Sequence, residues 1–406
     1  LTRALPEDPL IRGLVQQARA AQLTRRGVLA GAGGLAAALA LAACGTGRSP
    51  APTAPPDGSA TDRRLTWVNW PQYLDEDDAG GHPTLARFTE QTGIAVEYRP
   101  DIEDNNSYYS EVKARLALGS DIDADAVCLT DWMVSRLIRF GYTQELDHSA
   151  MPNLANLLPD LRNVDFDPGR AHSVPWQGGF AGICWNTELV PDGIRTIDDL
   201  WSPDLAGRVG VLSEMRDTIG LIMLQEGIDI SSDFGDSDFG VGLDIFRDQV
   251  ASGQIGSVRG NSYLDDLANE DTLVAICWSG DITTLNAKYG DRWEFAIPEA
   301  GGVLWTDNFV VPIGSPRKRN VETLIDYYYD PVVAAEVAAE VAAWVNYIVP
   351  VVGAQEAMLE IDPALAEDPL IFPDDEMLAN VKSFRTLSGA EEQSYISGFQ
   401  SVLLGS

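Results

Sequence analysis

From Leu65 onward the chain alternates short β-branched and aromatic runs with helix-length stretches that end in glycine, and this alternation limits the fold more than any other feature. Leu65–Trp70 alternates as a first strand, Leu85–Thr92 is helical and stops at Gly93, and Ile94–Tyr98 is a second strand. Tyr108–Leu118 is a second helix, Ala124–Leu129 a third strand, and Met133–Phe140 a helix closed by Gly141. Strand and helix in strict turn require an α/β layer with a largely parallel sheet. At 406 residues the chain exceeds one compact core, so a second body of the same kind is expected. The pattern supplies it, with Thr196–Trp201 as a short helix, Gly207–Leu212 as a strand and Thr218–Glu226 as a helix. Helices at Phe239–Ser252 and Tyr263–Asn269 follow, then strands at Thr272–Trp278 and Trp293–Ile297.

Two stretches break the alternation. His172–Asn186 is extended and rich in glycine and aromatic residues, which suits a crossing between lobes. Gly301–Pro312 opens on paired glycines, runs as an apolar strand into a proline, and carries one carboxylate, Asp307. A lone charge in such a run is costly unless partnered. It either caps a turn after a core strand or faces a cleft with Trp70, Trp132 and Trp278, which also sit at strand ends. Helices at Val321–Tyr329 and Pro331–Trp344 follow, and an acidic, mainly helical tail is placed against the second lobe. The expected architecture is two α/β lobes joined by a hinge of crossover strands, with a ligand cleft between them. Lobe one takes 63–183 and 304–349, and lobe two takes 184–303 and 350–406.

The N-terminal region has a different character. Arg25 and Arg26 precede an uncharged run, Val28–Ala43, shorter than the roughly 20 residues of a membrane span. A charged segment, an apolar segment and small residues make a secretory signal over 1–43. The arginine pair resembles a twin-arginine export signal, and Leu41-Ala42-Ala43-Cys44 resembles a lipobox, with Cys44 lipidated. Residues 44–62, rich in Pro, Ser, Thr and Gly, are expected to be a flexible tether.

The chain carries 28 basic and 61 acidic residues, a formal charge of −33, and only two of the acids fall within residues 1–43. Such a surface repels nucleic acid and anionic lipid and attracts cations, although solubility or salt adaptation would also produce it. Cys128, Cys184 and Cys277 each lie in an apolar strand-like run and are expected to be buried free thiols. Neither they nor His82, His148 and His172 have metal-ligand spacing, so no metal site and no cofactor are expected.

Four segments carry a resemblance: Asn69–Tyr73, Ala126–Leu137, Ile276–Gly280 and Val303–Asp307. In order and spacing they are similar to the polyamine-binding branch of the bacterial extracellular solute-binding proteins, from about residue 64 to the end. The resemblance implies a periplasmic-binding-protein-like fold and an exported, lipid-anchored, monomeric receptor in the periplasm or on the outer face of the cytoplasmic membrane. That receptor would capture a putrescine- or spermidine-like cation and deliver it to an ABC transporter permease. It also implies ligand-binding roles for Trp70, Tyr73, Thr130 and Trp132 in lobe one and for Glu214, Asp217 and Trp278 in lobe two. Trp305 is a further aromatic wall, Asp307 the acid that anchors one ligand end, and Arg385 stands where the family's spermidine binder has a neutral amide. Pro71 replaces a hydroxyl residue, so the preferred ligand stays open.

Physical chemistry fits that assignment. Acids at i and i+3 share one face near a helix start, where Glu214 and Asp217 either converge on a ligand or cap the helix. An alkyl diammonium needs separated carboxylates and an electron-rich slot between them. Each cation–π contact contributes about 0.5–2 kcal/mol and each charge-assisted hydrogen bond about 1.5–3 kcal/mol. A micromolar receptor needs only about −8 kcal/mol. Two other readings remain: the same receptor with another amine, an opine-like compound or a metal ion as cargo, and a secreted glycoside hydrolase using Glu214, Asp217 and Asp307. The sequence has no nucleophile elbow, zincin helix or phosphate loop.

Overall fold

The computed structural model describes residues 51–77, 79–342 and 345–405. The expected export segment over 1–43 and Cys44 lie outside the described residues. Among the described residues, no helix is long and apolar enough to cross a membrane.

The first series is β1 (Arg64–Val68), α1 (Pro83–Thr92), β2 (Ala95–Arg99), α2 (Asn105–Ala117), β3 (Ala126–Thr130) and α3 (Asp131–Phe140). Gly93 and Gly141 end α1 and α3 with φ of 72° and 71°, the left-handed turn that glycine enters without a Cβ clash. A run of short 3-10 turns leads to β4 (Ser173–Asn186). Then come β5 (Val209–Leu212), α4 (Met215–Gln225), α5 (Asp236–Ser252), β6 (Ile255–Arg259), α6 (Tyr263–Ala268), β7 (Val274–Trp278), α7 (Ser279–Tyr289) and β8 (Trp293–Ala296). The chain returns through β9 (Gly302–Val310) to α8 (Lys318–Tyr328), α9 (Pro331–Val341), α10 (Ala354–Ile361) and α11 (Pro363–Ala366). It ends with α12 (Asp375–Ala379), β10 (Val381–Lys382) and α13 (Gly389–Leu403).

The sheet runs β2-β1-β3-β9-β4-β7-β5-β6. β1 is parallel to β2 and β3, and β5 is parallel to β6 and β7, so each lobe owns a parallel triplet. Between the triplets β9 and β4 run antiparallel, β9 also pairing β3 and β4 also pairing β7. These are the two stretches that break the strand–helix alternation of the sequence. The two-lobed α/β class with crossover strands is therefore the observed fold.

Separate cores fill the lobes. Trp67, Phe88, Phe309 and Tyr328 belong to the first, and Ile183, Leu212, Ile219, Phe246 and Cys277 to the second. All three described cysteines are buried and free.

Two expected boundaries move. Residues 350–371 pack on the first lobe rather than the second, because Val351, Ala354, Met358, Ala366 and Ile371 complete its core. Only the far end of the tail joins lobe two, through Tyr395, Phe399 and Val402. The expected tether is also shorter than 44–62. The Gly58 amide donates to the Pro316 carbonyl at 2.7 Å, Ser59 Oγ accepts from the Asn320 amide at 3.2 Å, and Arg317 Nε donates to Asp62 at 2.8 Å. Hydrogen bonds, not apolar burial, dock this segment at the start of α8, and a composition argument based on core-forming residues does not register them.

Candidate functional site

Asp307 sits near the end of β9, opposite Thr130 of β3 on one side and Gln177 of β4 on the other. It is only 3% exposed. Its Oδ1 accepts from Thr130 Oγ1 at 2.7 Å and its Oδ2 from the Tyr73 hydroxyl at 2.7 Å. Thr130 is fixed in turn by Asn105, whose Nδ2 donates to the threonine hydroxyl at 2.8 Å and whose Oδ1 accepts from its amide at 3.2 Å. Burial pushes the Asp307 carboxyl up to about 6, and the two hydroxyl bonds pull against that. Both partners are neutral, so this acid has dipoles around it and no counter-ion.

Tyr73 ties it to a cluster of aromatic rings. Tyr73 lies 6.4 Å from Trp70 and 5.3 Å from Tyr347, ring centre to ring centre, and Trp305 stands edge-on to Tyr347 at 5.3 Å. The indole N–H groups of Trp70 and Trp305 are buried without a hydrogen-bond partner among the described residues. Gly179, paired with Trp305 across the ladder, makes room for that ring, since a Cβ there would come within 2.5 Å of it. Gly280 of α7 does the same for Tyr347, at 2.9 Å, and so brings the second lobe against the first. Tyr347 was missed in the sequence. Its only signal there was an aromatic next to Asn346 and the apolar run Ile348-Val349.

On the lobe-two side Glu214 caps α4, its Oε1 accepting from the Arg216 amide at 3.3 Å. Asp217, one turn in and 5% exposed, accepts from Trp278 Nε1 at 2.8 Å. Burial, followed by the charge of Glu214, pushes Asp217 up to about 8, and burial raises Glu214 as well. The two readings of this acid pair, cap and ligand group, are compatible, because the carboxylate that caps the helix also presses on its neighbour. Asp131, a further acid that the sequence reading passed over, opens α3 and is pushed up to about 7 by burial. The negative charge of Asp307 adds to that shift, Arg216 opposes it, and Asp131 in turn raises Asp217. The acids from both lobes therefore share one electrostatic environment.

Two expected residues have different surroundings. The Trp132 ring has the chain's own guanidinium groups over it, Arg216 at 4.7 Å and Arg136 at 5.0 Å. Those arginines meet on Glu392 of α13, which accepts from Arg136 at 3.0 Å, Arg139 at 2.8 Å and Arg216 at 3.2 Å. Arg136 and Arg139 belong to lobe one, and Arg216 and Glu392 to lobe two. Burial alone would raise Glu392; the arginines, Arg136 foremost, hold it below the usual carboxylate range. Arg385 is not brought to the other site residues. Its guanidinium lies over the Phe234 ring at 4.2 Å and donates to the Phe234 carbonyl and to Glu391, both at 2.7 Å. Phe234, the Thr386 carbonyl and Glu391 engage it away from the cleft acids, which a position-by-position carry-over has no means of detecting. Among the described residues, no group of three or more His, Cys, Asp or Glu side chains converges to hold a metal ion.

Comparison with known proteins gives this arrangement a context. The spermidine/putrescine-binding periplasmic protein 1 of Haemophilus influenzae is 25% identical over 345 residues, covering 84% of this chain and 89% of the relative. The putrescine-binding periplasmic protein of Escherichia coli is 27% identical over 301 residues, covering 70% and 78%. Among solved structures, a spermidine/putrescine ABC transporter substrate-binding protein from Streptococcus pneumoniae superposes with a TM-score of 0.71 at 22% identity, covering 84% of this chain and 99% of its own. Residues 84–373 match the model of the bacterial extracellular solute-binding proteins, and the chain belongs to that family.

Proposed function

We propose that this chain is the cargo-binding component of a polyamine ABC transporter, a receptor without catalytic activity. It takes a putrescine- or spermidine-like cation into the acidic, tryptophan-lined cleft between its lobes and delivers it to a membrane permease. The observation that carries this reading is Asp307, a buried carboxylate held by two neutral hydroxyls, one of them from the aromatic cluster of Trp70, Tyr73, Tyr347 and Trp305. Such a group gains most from a cation that arrives with its own charge, and the apolar rings suit the methylenes between charges. Glu214 and Asp217, on the other lobe, receive the far end. The polyamine names of the curated relatives support the same cargo class. The receptor acts as a monomer in the cell envelope, exported through residues 1–43 and held at the membrane by lipid on Cys44.

Titration calorimetry with putrescine, spermidine, γ-aminobutyrate and calcium tests the cargo. Micromolar binding of a di- or triamine, with γ-aminobutyrate rejected because it carries a carboxylate into an acidic cleft, is expected. Heat with calcium alone overturns the reading. For the anchor, Cys44→Ser moves the protein from the membrane fraction to the soluble one, and its retention at the membrane refutes lipidation.

A further inference from the structure

Gln177 faces the same side of the sheet as Asp307, because the two residues stand opposite each other in the antiparallel pairing of β4 with β9. It is 7% exposed. Its Nε2 donates to the Tyr73 carbonyl at 3.3 Å, and the hydroxyl of that same tyrosine donates to Asp307. This bond sets the direction of the amide, since turning it over would press Oε1 against another carbonyl oxygen. With Nε2 so placed, Gln177 Oε1 is buried and has no hydrogen-bond partner among the described residues. Buried acceptors are almost always satisfied, and an orphan points to a group that binds there.

The neighbouring carboxylate sharpens the point. Each Asp307 oxygen already accepts one hydroxyl, and neither hydroxyl brings charge. The pair therefore offers an ionic acceptor and a neutral amide acceptor on facing ladder positions, both tied to Tyr73. A cation with several N–H donors satisfies both at once, whereas a cation without N–H offers Asp307 its charge alone and leaves the amide oxygen unpaired. We propose that Gln177 and Asp307 together seat the terminal primary ammonium of the ligand, and that Gln177 selects for N–H donors over charge alone. This rests on the polyamine reading and deepens it: the cargo end at lobe one is a primary ammonium, not a quaternary one.

Calorimetry on the full chain, with putrescine and its bis-trimethylammonium analogue, tests this in the parent and in Gln177→Met. The parent is expected to prefer putrescine by at least 100-fold. Gln177→Met, which keeps the side-chain length and removes the acceptor, is expected to bind putrescine 10- to 100-fold more weakly and to compress that preference at least tenfold. A merely structural glutamine would lower the melting temperature and leave the preference between the two ligands unchanged. Unchanged putrescine affinity in a folded Gln177→Met protein overturns the inference while the receptor reading stands. If the variant does not fold, the parent decides alone, and equal affinity for both ligands within threefold overturns the proposal. If the parent binds neither putrescine nor spermidine, the receptor reading itself falls.

Discussion

The two acid clusters assigned to the ends of the proposed ligand are built on opposite principles. At the lobe-one end Asp307 is held by two hydroxyls and an aromatic ring set, with no cation of the chain beside it. At the lobe-two end Glu214 and Asp217 sit with Arg216, which pairs with Glu214 at 3.7 Å and with Glu392 at 3.2 Å. One end has only neutral partners from the chain. The other carries its own cation and needs less from a ligand. On the proposed reading, binding energy should therefore concentrate at Asp307, while the lobe-two end governs closure.

Replacing Asp307 attacks the first half of that contrast and should have the largest effect. Asp307→Ala is expected to weaken diamine binding by at least 100-fold by calorimetry, with the melting temperature of the unliganded protein nearly unchanged. A comparable loss on Asp217→Asn would erase the asymmetry. That variant mimics the protonated acid that Asp217 already is near neutral pH, so about a tenfold loss is expected. Removing the shared anion of the second end comes next. Glu392→Gln leaves Arg136, Arg139 and Arg216 without their common partner, and breaking a buried ion pair costs about 3–5 kcal/mol. A lower melting temperature and a larger radius of gyration in unliganded solution are expected, and no change in either would show that the cluster does not hold the lobes together. Gly179→Ala tests the aromatic wall by forcing a Cβ against the Trp305 ring, with a roughly tenfold loss of affinity expected.

The pH dependence has a definite sign. Asp307 and Asp217 have folded values raised to about 6 and about 8, above the unfolded 3.8 of each. The folded, unliganded state thus holds more protons, and these two groups stabilise it less as pH rises from about 4 to about 8. A bound cation favours the ionised forms, so ligand affinity should rise over the upper part of that range, with proton release. Calorimetry in buffers of different ionisation enthalpy measures that release, and a zero proton count on binding would contradict the assignment.

The alternation of strand and helix was legible because each element has its own period, and both crossing strands stood out as exceptions to it. Asp307 was legible as a charge in an apolar run. Less visible were features that depend on distant partners. Nothing local in the sequence says that Glu392 will meet arginines more than 170 positions earlier, or that Arg385 will be consumed by Phe234 and Glu391. Gln177 lay inside a stretch assigned to crossing, and its meaning appeared only when the ladder register set it opposite Asp307. Tail placement failed for a related reason, since acidity marks the outer face of residues 350–371 whereas Val351, Ala354 and Met358 decide where their inner face goes.

β4 and β9 are paired with each other and with a triplet on either side, so neither can slide without breaking its ladders. Relative motion of the lobes must be taken up as twist in this central ribbon, which makes the ribbon a pivot. Asp307, Trp305 and Gln177 lie on the pivot itself, whereas Glu214, Asp217 and Trp132 ride on the arms. On the proposed reading, the stationary groups are ready before the jaws move, and a diffusing guest docks its first end at rest while the arms swing in to gather the second.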